Sequence, residues 1–288
     1  MKVAIIGGSG KMGRWFASFL LKNGKEVVIT GRNEEKLREA QRQLGVGISS
    51  NREAVRDADV VVLSVPIDSF EEVVKDLAPF VSPNQIIIDV TSIKVAPVDI
   101  MHKYIKKGLV LGAHPVFGPG AKDIAGQNFV LTPTSDQELA LANKIKQYLE
   151  TRGARATLMT PRQHDEAMGF ILGLAHFIAI VSADAMLSFD RFRETEFIAG
   201  TTYKVLLTLV KSVITEDPSL YACLQMNLPG MTQIHETFQK SVEDWAGIVK
   251  KKDKQEFVNR MSALRARLEK TDPDFRKAYD NMYRLLES

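Results

Sequence analysis

Short, continuous apolar runs alternate with amphipathic stretches through the first half of the chain. Residues 3–6, 27–30, 60–65, 86–90 and 109–112 are rich in β-branched side chains and are of strand length. Runs without alternating polar positions suit strands covered on both faces, as in a parallel sheet. Between them, residues 12–23, 34–44 and 69–80 place apolar side chains at helical spacing. The first stretch stops before Gly24. The second follows Asn33, a good N-cap, and stops before Gly45. The third ends just before Ser82-Pro83. Strand–helix alternation of this kind predicts an α/β fold with a doubly wound parallel sheet over residues 1–160.

The pattern changes near Thr160. Thr160-Pro161 reads as an N-cap followed by a proline at the first helical position, and Asp217-Pro218 repeats the signal. Asp253 with Glu256 resembles a capping box. No strand-length β-branched run bounded by turn residues follows, so residues 161–288 are predicted to be all helix. Residues 168–187 are apolar on nearly every face, with Phe170, Ile171, Leu174, Phe177, Ile178, Ile180 and Val181. A helix apolar all round must be buried all round. The helical half alone can bury it only partly, which predicts a homodimer joined through this domain, with a large intrachain helical core as the alternative. The longest apolar run within residues 168–187, Phe170 to Val181, is interrupted by His176 and reads as too short to cross a bilayer, so no membrane association is expected.

Composition narrows the function classes. Of 288 residues, 45% are apolar and 25% charged, which excludes disorder. Lys plus Arg is 38 against 35 for Asp plus Glu, spread evenly over both halves, so no nucleic-acid footprint is expected. Cys223 is the lone cysteine and allows neither an intrachain disulfide nor a cysteine zinc site. The five histidines show no ligand pairing, and no metal is expected. Strand-like sequence starts at Lys2 with no signal peptide before it, which predicts a cytoplasmic protein.

The first strand runs into Gly7-Gly8-Ser9-Gly10-Lys11-Met12-Gly13, where Gly8, Gly10 and Gly13 fit G-x-G-x-x-G. In that pattern Gly8 makes the tight turn, Gly10 lets the backbone approach a pyrophosphate, and Gly13 packs helix on strand. The helix that follows offers its N-terminal turn and positive dipole end to phosphates. Gly8, Ser9, Gly10, Lys11, Met12 and Gly13 are therefore the expected phosphate cradle. The second strand ends in Thr30-Gly31-Arg32-Asn33. NAD sites usually place a carboxylate there, and none is present. Arg32 offers a planar fork to a 2′-phosphate, so Gly31, Arg32 and Asn33 predict NADP over NAD. Stacking of Arg32 on adenine is the alternative and fits either cofactor.

Three further strand ends carry polar or special residues: Ser64-Val65-Pro66, expected beside the cofactor; Thr91-Ser92-Ile93-Lys94; and Ala113-His114-Pro115. His114 falls where nicotinamide and substrate should meet. A histidine there can accept a hydroxyl proton, with an ordinary pKa placing its acid limb between about pH 6 and 7. From position alone, packing or capping is an equal alternative.

His114-Pro115-Val116-Phe117-Gly118-Pro119 resembles the His-Pro-Met-Phe-Gly-Pro signature of prephenate dehydrogenases, the TyrA family of tyrosine biosynthesis. Ser92-Ile93-Lys94 resembles that family's Ser-Val-Lys. His164-Asp165 followed by Leu174-Ala175-His176-Phe177 resembles its His-Asp…Leu-Arg-His-Phe helix. Glu216-Asp217-Pro218-Ser219-Leu220-Tyr221 resembles its Gln-Asp-Pro-Gln-Leu-Tyr. The resemblance implies oxidative decarboxylation of prephenate, a small dicarboxylate, to 4-hydroxyphenylpyruvate, with NADP as the cofactor that Arg32 predicts. It implies His114 as base for the substrate hydroxyl, with Ser92 holding that hydroxyl or orienting His114. A helix N-cap is the alternative for Ser92. It implies that His176 lines the substrate pocket, with a satisfied core histidine as the alternative. His164-Asp165 is read as structural, near the domain junction. Where relatives carry Arg after an aromatic residue, this chain has Tyr203-Lys204, so Lys204 keeps the charge for a substrate carboxylate but loses the fork. Leu172 is a second departure. The alternatives in function are an arogenate dehydrogenase, another NADP oxidoreductase such as a deazaflavin-linked NADP reductase, and a non-catalytic NADP-binding regulator.

Overall fold

Eight strands form one sheet in the computed structural model, which describes residues 1–287. In chain order the first unit, Met1–Met168, runs β1 (Lys2–Ile6), α1 (Lys11–Lys22), β2 (Glu26–Ile29), α2 (Glu34–Leu44), β3 (Gly47–Ile48), α3 (Asn51–Asp57) and β4 (Val60–Leu63). It continues with α4 (Ile67–Leu77), β5 (Ile86–Asp89), α5 (Val95–Tyr104), β6 (Leu109–Pro115), β7 (Asn128–Thr132), α6 (Asp136–Glu150), β8 (Arg155–Leu158) and α7 (Pro161–Met168). The strand order β3-β2-β1-β4-β5-β6-β7-β8 contains the 3-2-1-4-5-6 arrangement of dinucleotide-binding sheets.

The apolar runs are continuous because each strand faces two cores. Ala4 and Ile6 pack on one face of the sheet with Val61, Leu63, Phe70 and Met101. Val3 and Ile5 pack on the other with Ala17, Val27, Ile29 and Leu37. Alternation along β1 thus sends successive side chains to opposite cores.

The sheet departs from the all-parallel expectation at β7, which pairs antiparallel with β6 before β8 returns to parallel pairing with β7. A parallel return needs a crossover of a dozen or more residues, usually a helix. Residues 116–127 contain no helix, so the chain turns back alongside β6. This pairing also lengthens β6. Its contact with β5 ends at Gly112, whereas Ala113, His114 and Pro115 are held by β7, with His114 opposite Val130.

The second unit begins at Gly169 and is helical: α8 (Ala175–Leu187), α9 (Phe192–Phe197), α10 (Thr201–Ile214), α11 (Pro218–Asn227), α12 (Met231–Lys251), α13 (Lys254–Thr271) and α14 (Ala278–Glu287). The apolar stretch preceding α8 is a π-helical turn, Gly169–Leu174. Its glycines seat α12: a Cβ on Gly173 would lie 2.4 Å from Met231 Sδ, and one on Gly169 2.9 Å from Ile234. The Gln225 side chain donates to the Gly173 carbonyl at 2.8 Å, supplying a partner at the widened turn. The expectation that this stretch is too short to span a bilayer is corrected. Pro161–Leu187 is helical for 27 residues, long and apolar enough by length and composition. Only 17% of its most apolar window is buried within the chain. Phe170, Ile171, Phe197, Ile198 and Met226 are exposed, and α13 buries none of its residues.

Candidate active site

The carboxyl ends of β1, β2 and β4 build a cradle from backbone. Gly7, with φ +84°, makes the left-handed turn, and a Cβ there would lie 2.2 Å from the Ser64 carbonyl oxygen. The tight turn expected at Gly8 is therefore one residue earlier. Gly8 is instead required by β2, since a Cβ on it would lie 2.5 Å from Ile29 Cβ. Gly13 presses on the loop, its Cβ position 2.5 Å from the Gly7 oxygen, and Gly10 meets only that oxygen at 3.3 Å. Gly10 is the N-cap of α1 with no side-chain cap, so no side chain occupies the positive end of the helix dipole there. These features fit a pyrophosphate.

Gly31 lies against Ser9, its Cβ position 2.3 Å from Ser9 Oγ. The Thr30 hydroxyl is buried without a hydrogen-bond partner. Asn33 caps α2, accepting from the Lys36 N–H at 2.9 Å. Arg32 is exposed and makes no ion pair or hydrogen bond among the described residues. The Ser64 N–H donates to the Ile6 carbonyl at 2.8 Å, and Pro66 opens α4 beyond Val65 without a side-chain cap. The structure thus gathers residues 8–13, 31–33 and 64–66 around one loop.

Sequence reasoning missed Arg14. Its guanidinium donates to the Ser9 carbonyl at 3.0 Å, the Lys36 carbonyl at 2.8 Å and the Glu39 carboxylate at 2.8 Å, tying the glycine loop to α2. Its hydrogen bond and charge hold the Glu39 carboxyl below the usual carboxylate range. Nothing in the local pattern signals this, because the two partners on α2 lie 22 and 25 residues from Arg14 in the chain.

The ends of β5 and β6 carry a different chemistry. Lys94 is fully buried; its ammonium contacts the Asp89 carboxylate and donates to the Ala113 carbonyl at 2.7 Å. Burial pulls its pKa below the ordinary lysine value, opposed by Asp89. The first N–H groups of α5 are capped from a distant helix: those of Lys94 and Val95 donate to the two Asp165 oxygens at 2.7 and 2.9 Å. Ser92 therefore is not the N-cap. It lies half-buried in the turn between β5 and α5. Asp165 also meets His164 Nδ1 at 2.7 Å, and His164 Nε2 meets His114 Nδ1 at 2.8 Å.

His114 is 4% exposed, and its Nε2 has no protein partner among the described residues. Burial first, then the neighbouring His164 and Lys94, hold its pKa well below 6.5. Burial also lowers His164, with the Asp165 hydrogen bond opposing. The acid limb expected from an ordinary imidazole is thereby moved down, and the His114 ring is neutral at working pH. The role expected for His164-Asp165 was structural, and the geometry adds that His164 contacts the candidate base itself.

In the helical unit, His176 packs edge-on against Tyr221, with its Nδ1 buried and unpartnered, and burial lowers its pKa. Lys204 is exposed on α10. A histidine-resolved NMR titration tests the electrostatics without any ligand. The His114 ring is expected to stay neutral through pH 6.5 and to gain its proton only well below it. A midpoint at or above 6.5 contradicts the burial argument.

Comparison with known proteins gives a consistent set. Residues 16–158 match the family model for the prephenate dehydrogenase nucleotide-binding domain, and residues 160–263 match that for the prephenate dehydrogenase dimerization domain. The chain is 36% identical over 267 residues to a probable arogenate/prephenate dehydrogenase of Methanocaldococcus jannaschii, covering 91% of this chain and 59% of that protein. It is 26% identical over 266 residues to the T-protein of Haemophilus influenzae, covering 92% and 66%. The chain thus spans about three fifths to two thirds of the length of these relatives. Two solved structures share the fold. Prephenate dehydrogenase from A. aeolicus, in complex with hydroxyphenyl propionate and NAD+, has a TM-score of 0.77 at 23% identity over 94% of this chain and 98% of that one. Synechocystis arogenate dehydrogenase has a TM-score of 0.70 at 19% identity over 94% and 100%.

Proposed function

The chain belongs to the prephenate dehydrogenase family, and on that premise we propose that it oxidatively decarboxylates prephenate to 4-hydroxyphenylpyruvate with NADP. The observation that carries the reading is His114: a buried neutral imidazole at a strand end, with one nitrogen engaged by the protein and Nε2 left for a substrate. A nicotinamide dinucleotide held by the glycine loop supplies the hydride acceptor. His114 Nε2 takes the C4 hydroxyl proton, so the C–O bond gains carbonyl character as the C4 hydrogen departs with its electron pair. The ring carboxylate leaves as CO2 and its electron pair enters the ring. The proton then returns from His114 to the phenolate oxygen, so no net proton is released. Ser92, free of any capping duty, holds the same hydroxyl.

NADP is favoured because Arg32 has no carboxylate partner and no acidic residue occupies the end of β2. In the helical unit, His176 contributes its unpartnered Nδ1 and Lys204 an ammonium suited to a substrate carboxylate. The match to a dimerization domain and the exposed apolar side chains support a homodimer through that unit, in a soluble cytoplasmic enzyme.

Following cofactor reduction at 340 nm with prephenate and with arogenate tests the reaction. Turnover with a higher kcat/KM for prephenate is expected. His114→Asn should lower kcat by about 10²–10⁴-fold while NADP affinity stays nearly unchanged. Absence of turnover on both substrates, or wild-type turnover in the variant, overturns the reading.

Replacing Arg32 with Asp should weaken NADP binding by about 10–100-fold, the loss of a charge-assisted contact, and leave NAD binding nearly unchanged. Equal wild-type affinities for the two dinucleotides would sink the NADP assignment.

Sedimentation at micromolar concentration should give a dimer, with a two-fold interface larger than ~2,000 Å² in total. A stable monomer contradicts the assembly.

A further inference from the structure

The polar cluster Asp165–His164–His114 lies outside the cofactor cradle and reaches the reacting group of the reaction proposed above. We propose that His164 and Asp165 are positioning residues that impose the Nδ1–H tautomer on His114 and so leave its Nε2 as the proton acceptor. The proposal rests on the reaction assigned to His114 above and deepens it.

The direction of each hydrogen bond follows from what each atom can do. Both Asp165 oxygens accept backbone N–H groups, Oδ1 from Lys94 at 2.7 Å and Oδ2 from Val95 at 2.9 Å. Backbone N–H groups can only donate, so this arrangement favours the ionised carboxylate. An ionised carboxylate can only accept, so at 2.7 Å His164 Nδ1 must carry a proton. A neutral His164 then has a lone pair on Nε2. His114 Nδ1, 2.8 Å away, must donate to it. The one proton of a neutral His114 is thereby placed on Nδ1, and Nε2 faces the substrate bare.

The competing state is a doubly protonated His164. It would donate to His114 Nδ1 and push the single His114 proton onto Nε2, the tautomer that cannot accept. Every charged group around the pair bears on this choice. Asp165 of α7 favours the imidazolium. Lys94, fully buried at the start of α5 and shared with Asp89 of β5, disfavours a second buried cation. β7 offers only Val130 opposite His114. The neutral His164 is the state that these groups and the burial together select.

When His114 accepts the hydroxyl proton on Nε2, it becomes an imidazolium whose Nδ1–H remains bonded to His164. No second proton moves: His164 keeps its Nδ1 proton and Asp165 stays ionised. The arrangement lowers the cost of the transient charge by fixed dipoles and a carboxylate two bonds removed. It shares this logic with the carboxylate that orients a catalytic histidine in hydrolytic triads.

The test uses the full chain labelled with 15N at histidine. Nitrogen–proton correlation spectra should show both His114 and His164 protonated at Nδ1 and bare at Nε2. His164→Asn, too short to reach His114, should lower kcat by about 10²-fold with KM for substrate and cofactor within about twofold. His164→Gln, which sets an acceptor oxygen near the lost Nε2, should recover about tenfold of that. An Nε2 proton on His114, a loss through KM instead of kcat, or no gain of Gln over Asn overturns the proposal. The tautomer measurement needs no substrate and no variant. A chain that turns over neither cyclohexadienol fails the reaction assignment, whereas an active chain with Nε2–H on His114 fails only the relay.

Discussion

One carboxylate carries more of this structure than any other side chain. Asp165, on α7, accepts the two backbone N–H groups that open α5 and the Nδ1 proton of His164, all within 2.7–2.9 Å and all buried or nearly so. A buried anion needs such partners, because an uncompensated one is strongly destabilising. Capping α5 in turn fixes the segment that delivers Lys94 to Asp89 and to the Ala113 carbonyl. The peptide that Lys94 grips is the one immediately before His114. Helix start, buried ion pair and candidate base are thus one connected polar unit, joined across 50 to 71 residues of sequence.

The sheet decides where this unit sits. β1, β4, β5 and β6 are parallel, so the glycine loop, the 64–66 turn, Ser92 and His114 all emerge at carboxyl ends of strands. The two faces of the sheet bury separate apolar cores, which leaves polar chemistry only at the strand ends. Antiparallel pairing with β7 carries β6 three residues past its contact with β5, and His114 lies within that extension. His114 is held by a ladder of backbone hydrogen bonds, where a loop would leave it mobile.

The fold was largely legible from local pattern, because β-branched runs, caps and glycine spacing act over a few residues. The cradle followed for the same reason, down to an error of one residue: glycine spacing alone does not tell that Ser64 crowds Gly7 while Ile29 crowds Gly8. β7 and β8 were missed because their few apolar side chains, Phe129–Leu131 in one and Ala156 with Leu158 in the other, are flanked by polar ones, and β3 because it is two residues long. The π turn at Gly169–Leu174 depends on Met231 and Gln225, which arrive from other helices. Arg14, and the contact of His164 with His114, escaped for a common cause. Their partners are distant in sequence, and periodicity carries no information about which polar groups meet in the folded chain.

The central claim is that Asp165 acts on the reaction through His114 and not merely on the fold. A double-mutant cycle in kcat with Asp165→Asn and His114→Asn measures this coupling directly. The account predicts that Asp165→Asn lowers kcat by about 10²-fold in the wild-type background and by less than about twofold once His114 is Asn. Equal losses in both backgrounds would show that Asp165 and His114 act independently, and would contradict it.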